Sequence, residues 1–438
     1  MRTRIAWFSP LNTNPARPTN SVSAYVSDEL LDYLSSSFDI DLFHDSFEKY
    51  KNYSTHHYLT AYRRHRTNPY DIFFYQVEDH PASDFTRFHV GLAPGITWFH
   101  DTFFLRDLPT PLHNSPWRQI IEKFNNSSLN WPERDSHYPR SLPFAIRECC
   151  QSFVNIFSSE RYLDTYRIER GNTLKDVPHA LAYYLPIPVD GSSLYSTRRQ
   201  QYFMTKIAYC GLPNLEHRAH KLLSALSQLD NQCQLVWLLE ESELSQARDL
   251  LKEFEISDVT FKTPRTPAHW KEIVETAEIA IHTLFSVYGH TEPYLSISLM
   301  AGVPSIVTNF ANNELLPSGV VQKIYAGYGE AEEIANAIRK ILDEPEKFRA
   351  VAKNYAREKS SSYCIAGELN DIFESTLFHI RKQRQRWTEF EHRAGESLIQ
   401  ECRSNYQHLL DACRTFANYS SPDWQLDCQS GYSDLGWT

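Results

Sequence analysis

The sequence contains no run of about eighteen consecutive apolar residues, so no membrane-spanning helix is expected. Behind the basic start MRTRIAWFSP there is no apolar leader segment either, and the expected location is the cytoplasm. The eight cysteines (149, 150, 210, 233, 364, 402, 413 and 428) form no Cys-x-x-Cys pair and no Cys/His set at zinc spacing. They read as reduced, mostly buried thiols, several of them in apolar periodic segments where free cysteine behaves as a small hydrophobe. Positive charge is not in excess. The formal net charge of −10 argues against a nucleic-acid binder while leaving room for a local basic patch that holds phosphates. The loop after the first apolar run, SPLNTNPARPTNS, has no glycine at all. That argues against the Gly-x-Gly-x-x-Gly turn of a dinucleotide cofactor, and so against an epimerase built on such a lobe. No Asp-x-Asp stands at a predicted strand end, and the one DID, at 39–41, opens a strand, so no metal is expected.

What is present is a soluble, globular composition, 42% hydrophobic and 22% charged. At about 150 residues per domain, 438 residues make two or three domains. RIAWF (4–8), a turn-rich loop and VSAYVSDELLDYLS (22–35) read as strand, loop and helix. The pattern recurs at DIDLFH (39–44), YDIFFYQV (70–77), GITWFHD (95–101) and SFVNIFSS (152–159). After HALAYYLPIPVDGSS (179–193) it pauses, then restarts with FMTKIAYCGL (203–212), QLVWLLE, DVTFKT, IAIHTL and VPSIVTN, with helical stripes between them. Strands alternating with helices predict an α/β protein of two facing, doubly wound Rossmann-like lobes with parallel sheets. The expected domains are 1–190 and 203–365, joined by a linker at about 188–203, with a helical extension over 366–438 packing across the lobes. Residues 331–359 read as two helices broken at Glu344-Pro345. The basic run IRKQRQRW (380–387) reads as a solvated face, with a peripheral membrane contact as the lesser expectation.

In open parallel sheets, ligands bind beyond the carboxyl ends of the strands. The residues there carry a resemblance. RIAWFSPLNTNPARPTNSVSAYVSDEL, APGITWFHDTFF, LPIPVD, IAYCGLPNLEHRAHKLLSAL and GHTEPYLSISLMAGVPSIVTNFANNELLP stand in the order found in one family. Over about Arg4 to Ile372 the chain resembles the retaining, family-four-like glycosyltransferases of bacterial surface-polysaccharide pathways, which have the GT-B fold. The resemblance implies transfer of a sugar from a nucleotide diphosphate-sugar to a hydroxyl acceptor, without metal or cofactor. The acceptor it implies is a glycan, a lipid-linked molecule or a protein.

It also assigns residues. His100 and Asp101 would act at the donor sugar, although a histidine–aspartate pair can also be structural. Arg218 matches the family's basic residue at the diphosphate. Lys221 is a second cation there or part of a solvated helix face. Leu212 stands where the family has a further arginine. Pro293 opens a helix whose free backbone N–H groups suit phosphate oxygens. The glutamate pair that brackets this turn in the family is replaced by Gly289 and Ile297, leaving His290, Thr291 and Glu292 as the polar candidates. Glu314 matches a retained family glutamate or caps its loop. Asn20, Ser21 and Tyr25 occupy the first-loop, acceptor-side position, with Ser21 in place of a glycine. A catalytically degenerate lobe pair that only binds a partner is the alternative reading. The aromatic-rich segment 117–144 is expected to pack on its lobe.

Overall fold

The structure, a computed structural model, describes residues 2–14, 19–90, 93–102, 104, 145, 148–149, 152–173, 180–191, 204–229, 233–285 and 292–385. The segment 117–144 and the part of the expected helical extension from 386 to 438 lie outside them. In the first lobe, strand β1 (Arg4–Phe8) is the run RIAWF, and Ile5 to Phe8 have no solvent exposure. A strand covered on both faces needs apolar residues at every position instead of alternation, and β4 (Ile72–Val77), buried throughout, is built the same way. Around them lie α1 (Val22–Leu34), β2 (Asp39–His44), β3 (Ser54–His57), α2 (Ala61–Thr67), α3 (Asp84–Val90), β5 (Ile96–Phe99), β6 (Val154–Phe157), α4 (Glu160–Thr173) and β7 (Leu181–Tyr184). The strands form one parallel sheet in the order β3-β2-β1-β4-β5-β6-β7, with Ile5 opposite both Ile40 and Ile72.

The second lobe repeats the plan. It comprises β8 (Thr205–Tyr209), α5 (Ala219–Leu226), β9 (Cys233–Leu238), α6 (Leu244–Glu253), β10 (Val259–Lys262), α7 (Pro267–Thr276), β11 (Ile279–His282), α8 (Pro293–Met300), β12 (Ser305–Thr308), β13 (Val321–Ile324), α9 (Glu330–Asp343) and α10 (Pro345–Lys359). Its parallel sheet runs β10-β9-β8-β11-β12-β13. The two doubly wound lobes read from the sequence are therefore present. The break at Glu344-Pro345 is also present, with Pro345 as the first residue of α10, where its missing N–H costs nothing. Strands β3, β7 and β13 were not among the expected strands. β3 is STHH, a polar edge strand with no apolar alternation to reveal it.

Strand order reverses between β1 and β4 in the first sheet and between β8 and β11 in the second, which puts a crevice at the carboxyl ends of each pair. At Ser360–Ser362 the chain returns to the first lobe. Val189 N–H donates to the Ser360 carbonyl at 2.8 Å, and Ser362 N–H to the Val189 carbonyl at 3.1 Å. A helix over 362–385 (α11) follows. Its Phe373 lies edge-on to Phe38 and Phe74, with ring centroids 5.4 and 5.3 Å away. One apolar core joins Ile5, Trp7 and Phe74 of the first lobe to Trp270 and Ile297 of the second and to Leu369 and Phe373 of α11. The basic run at 380–387 is thus partly a docking surface. Ile380 is fully buried, Arg381 pairs with Asp71 at 3.1 Å, and Arg384 donates to the Tyr70 and Asp71 carbonyls at 3.3 and 3.4 Å.

Candidate functional site

On the first lobe the site begins at the loop after β1. Ser21 is the N-cap of α1: its hydroxyl accepts from Ala24 N–H at 3.1 Å and donates to the Glu78 carboxylate. Glu78, from the end of β4, also accepts from Val22 N–H at 2.8 Å and Ser23 N–H at 3.2 Å. The positive end of α1 is therefore already filled by an internal carboxylate. Burial pushes the Glu78 carboxyl up, and the Ser21 hydrogen bond opposes that. Tyr25 lies inside the protein, with the Lys271 ammonium 5.5 Å from its ring centroid, and burial beside Glu29 raises its phenol further. Asn20 also reaches the other lobe, where its carbonyl accepts from Tyr294 Oη at 3.1 Å.

His100 follows β5 and is completely enclosed. Nδ1 lies 2.8 Å from Ser158 Oγ and Nε2 2.8 Å from Gln76 Oε1, so both ring nitrogens are occupied. Burial takes its pKa down to about 3, which keeps the ring neutral. Asp101 accepts from Asp79 N–H at 2.9 Å and ties the ends of β4 and β5 together.

On the second lobe, Arg218 precedes α5 in a left-handed conformation, φ 59°. Its Nε lies 3.0 Å from both carboxylate oxygens of Glu330, to which Nη2 also donates, and Glu330 is fully buried. Glu330 further accepts from Gly327 N–H at 3.1 Å. The charge of Arg218 is thus matched within the lobe, and this pairing raises its pKa. Lys221, one turn along α5, is half-buried. The loop after β8 is sewn to the end of β11 through the His217 carbonyl, which accepts from Tyr209 Oη at 2.7 Å and Thr283 Oγ1 at 2.6 Å. Gly211 in that loop has no room for a side chain, since a Cβ there would overlap the Tyr209 hydroxyl.

Gly289, His290 and Thr291 lie outside the described residues. Glu292 pairs with Arg265 at 2.7 Å. Arg265, which the sequence reading missed, follows β10 in the proline-flanked stretch TPRTP and is buried. Its Nε donates to the Cys210 carbonyl at 2.8 Å, and its guanidinium lies 4.8 Å from the Tyr294 ring centroid. Proline on both sides of an arginine after a strand was the signal that could have found it. Tyr294 Oη contacts both the Arg265 carbonyl, at 3.2 Å, and Asn20. Helix α8 then starts with Pro293, and among the described residues no side chain caps its amino terminus, in contrast to α1. Ile297, one turn on, is fully buried in the shared core.

Further contacts set the lobes against each other. Glu29 of α1 takes Lys271 Nζ of α7 at 2.7 Å, Ser362 Oγ of α11 at 2.9 Å and the Asp190 N–H. Glu314, expected near the donor, pairs with Arg161 of α4 at 3.1 Å, and Ser159 donates to Asn312 beside it. Among the described residues no group of three or more His, Cys, Asp or Glu is placed to hold a metal, and no helix is long and apolar enough to cross a membrane. Cys149 and Cys210 are buried and Cys233 and Cys364 half-buried, all four as free thiols.

Two parallel, doubly wound lobes facing across such a crevice, with the last helix returned to the first lobe, define the GT-B fold. Solved structures with the same arrangement include the sucrose-phosphate synthase of Thermosynechococcus elongatus, at 13% identity and TM-score 0.60 over 85% of this chain and 99% of that one. Anabaena HepE, solved in complex with UDP and glucose, gives 15%, 0.57, 85% and 100%. WaaG, a glycosyltransferase involved in lipopolysaccharide biosynthesis, gives 11%, 0.55, 84% and 99%. By sequence, no family model and no curated protein matches the chain.

Proposed function

We propose that the protein is a glycosyltransferase that moves a sugar from a nucleotide diphosphate-sugar to a hydroxyl acceptor, with retention and without a metal, in polysaccharide or glycoconjugate assembly. The observation that carries this reading is the contrast between two helix ends at the two switch points. The amino terminus of α1 is filled by Glu78, whereas that of α8 has no side-chain cap among the described residues and stands beside Arg265 and across from Asn20. An uncapped helix start offers N–H donors and a positive dipole to a diphosphate. The HepE complexes with UDP and with UDP-glucose support a nucleotide-sugar donor for this architecture.

The carboxylates that are described around this crevice are committed to other partners. Glu292 and Glu330 are each held by an arginine, and Ile297 is core. In such a site the leaving diphosphate takes the acceptor proton, while the α8 amides, His290 and Lys221 stabilise its growing charge. His100 and Asp101 act in this scheme by fixing the ends of β4 and β5 beneath the sugar. Isothermal titration with UDP, GDP, ADP, CMP and dTDP and their sugar conjugates tests the reading. One nucleotide should bind at micromolar affinity, and His290→Ala and Lys221→Ala should each weaken it at least tenfold. Failure of every nucleotide to bind would leave a degenerate lobe pair.

A further inference from the structure

The carboxyl ends of β11 and β12, neighbours in the second sheet, carry two phenylalanines that the proposed diphosphate site does not use. Phe285 stands three residues past β11 and is 36% exposed, and Phe310 stands two residues past β12 and is half-buried. Their ring centroids are 4.5 Å apart and the planes are tilted by 40°, so the two side chains pack as one aromatic surface. Backbone contacts fix both of them. Phe285 N–H donates to the Glu216 carbonyl at 2.8 Å, which ties it to the loop after β8, and the Arg218 guanidinium lies 5.8 Å from its ring centroid. Asn309 N–H, next to Phe310, donates to the Ile324 carbonyl of β13 at 2.7 Å. Ala311 then takes φ 50°, a left-handed conformation that is costly for a residue with a Cβ and persists where its surroundings enforce it.

The neighbours of this pair place it in the crevice. Just past Phe310, Asn312 accepts from Ser159 and Glu314 pairs with Arg161 at 3.1 Å, so the loop meets the start of α4 on the first lobe. Past Phe285 the chain runs on to the start of α8, the end proposed for the diphosphate. Such a surface discriminates between sugar rings. The negative face of a phenylalanine ring attracts polarised C–H groups, whereas a hydroxyl pressed against it loses water and gains no hydrogen bond. In the galacto configuration the axial 4-hydroxyl leaves C3–H, C4–H and C5–H together on one face of the ring. In the gluco and manno configurations C4–H lies on the face opposite to C3–H and C5–H. A galacto-configured ring therefore offers the larger apolar face.

We infer that Phe285 and Phe310 form the platform on which the transferred sugar stacks, and that they select a galacto-configured donor. This rests on the glycosyltransferase reading and names the sugar class that the reading leaves open. The test is isothermal titration of the full chain with UDP, ADP and dTDP, each bare and as its galactose and glucose conjugates, and with GDP, GDP-fucose and GDP-mannose, fucose being galacto-configured. The quantity read is the affinity of a conjugate relative to that of its bare diphosphate. For the base that binds, the galactose or fucose conjugate should exceed both the bare diphosphate and the glucose or mannose conjugate by about tenfold or more. Phe285→Ala and Phe310→Ala should each bring that ratio close to one. Phe310→Leu, which keeps apolar bulk without a ring, should also lose it, and Phe285→Tyr, which keeps the ring, should retain it. A glucose or mannose conjugate bound as tightly as its galacto counterpart, or a ratio indifferent to the alanine substitutions, overturns the platform and leaves the donor reading standing. Equal losses for bare diphosphate and conjugate assign the rings to the base and overturn it as well. Absence of binding by every diphosphate and conjugate removes the donor reading and the platform with it.

Discussion

Arg218 and Glu330 show how one residue type at one position serves two ends. An arginine after the first strand of the second lobe is where a diphosphate would want charge, yet here the guanidinium forks onto a carboxylate with no solvent exposure. Removing one partner of a buried pair leaves the other charge unsolvated, which costs about 3–5 kcal/mol. Arg218→Ala should therefore lower stability in urea by about that amount, and adding Glu330→Gln should recover most of it. A purely ligand-binding Arg218 would lose nucleotide affinity and no stability. The sequence placed Arg218, Glu292 and Asn20 in segments that follow strands, and in the structure each stands at the start of the helix that comes next. It could not show that Arg218 and Glu292 each spend their charge on a partner 112 and 27 residues away. Nor could it show Glu29 and Lys271 meeting across 242 residues. Such pairings are properties of the tertiary fold and leave no local pattern.

Among the elements, the two helix starts divide the work. At α1, Ser21 makes a side-chain cap that a glycine could not make. Ser21→Ala should cost about 1 kcal/mol in equilibrium unfolding, within the usual range for a lost cap. Glu78→Ala should cost more, because it frees the Val22 and Ser23 amides together. Equal losses in the two variants would contradict the shared role of Glu78. Helices and central strands were readable because RIAWF and IFFYQV are apolar at nearly every position, as a doubly covered strand must be. β3 was not, because an edge strand such as STHH buries too little to leave a hydrophobic signature. Glu78 was missed for a related reason: it reads as one more polar residue after a strand, and its value lies in the helix end it meets.

At the scale of the molecule, the shared core, the Glu29 cluster and α11 hold two lobes in one arrangement, and buried histidines make that arrangement sensitive to acid. An unfolded histidine takes up a proton near pH 6.5. Folded, His89 and His100 are both held by burial at about 3. Between pH 6.5 and those values the unfolded chain binds more protons, so stability falls as pH falls, by up to about 2 kcal/mol per residue from pH 6.5 to 5. Urea midpoints across that window should decline steadily, and His89→Phe should flatten the decline; a flat profile in the unmodified chain would contradict it. The central claim, however, is that a nucleotide diphosphate sits on the uncapped start of α8. Hydrogen–deuterium exchange with and without saturating nucleotide tests it most directly. The account predicts strong protection of the amides in Glu292–Ile297, with those of Val22–Ala24 unchanged. Unchanged exchange at α8, or protection confined to α1, would contradict it.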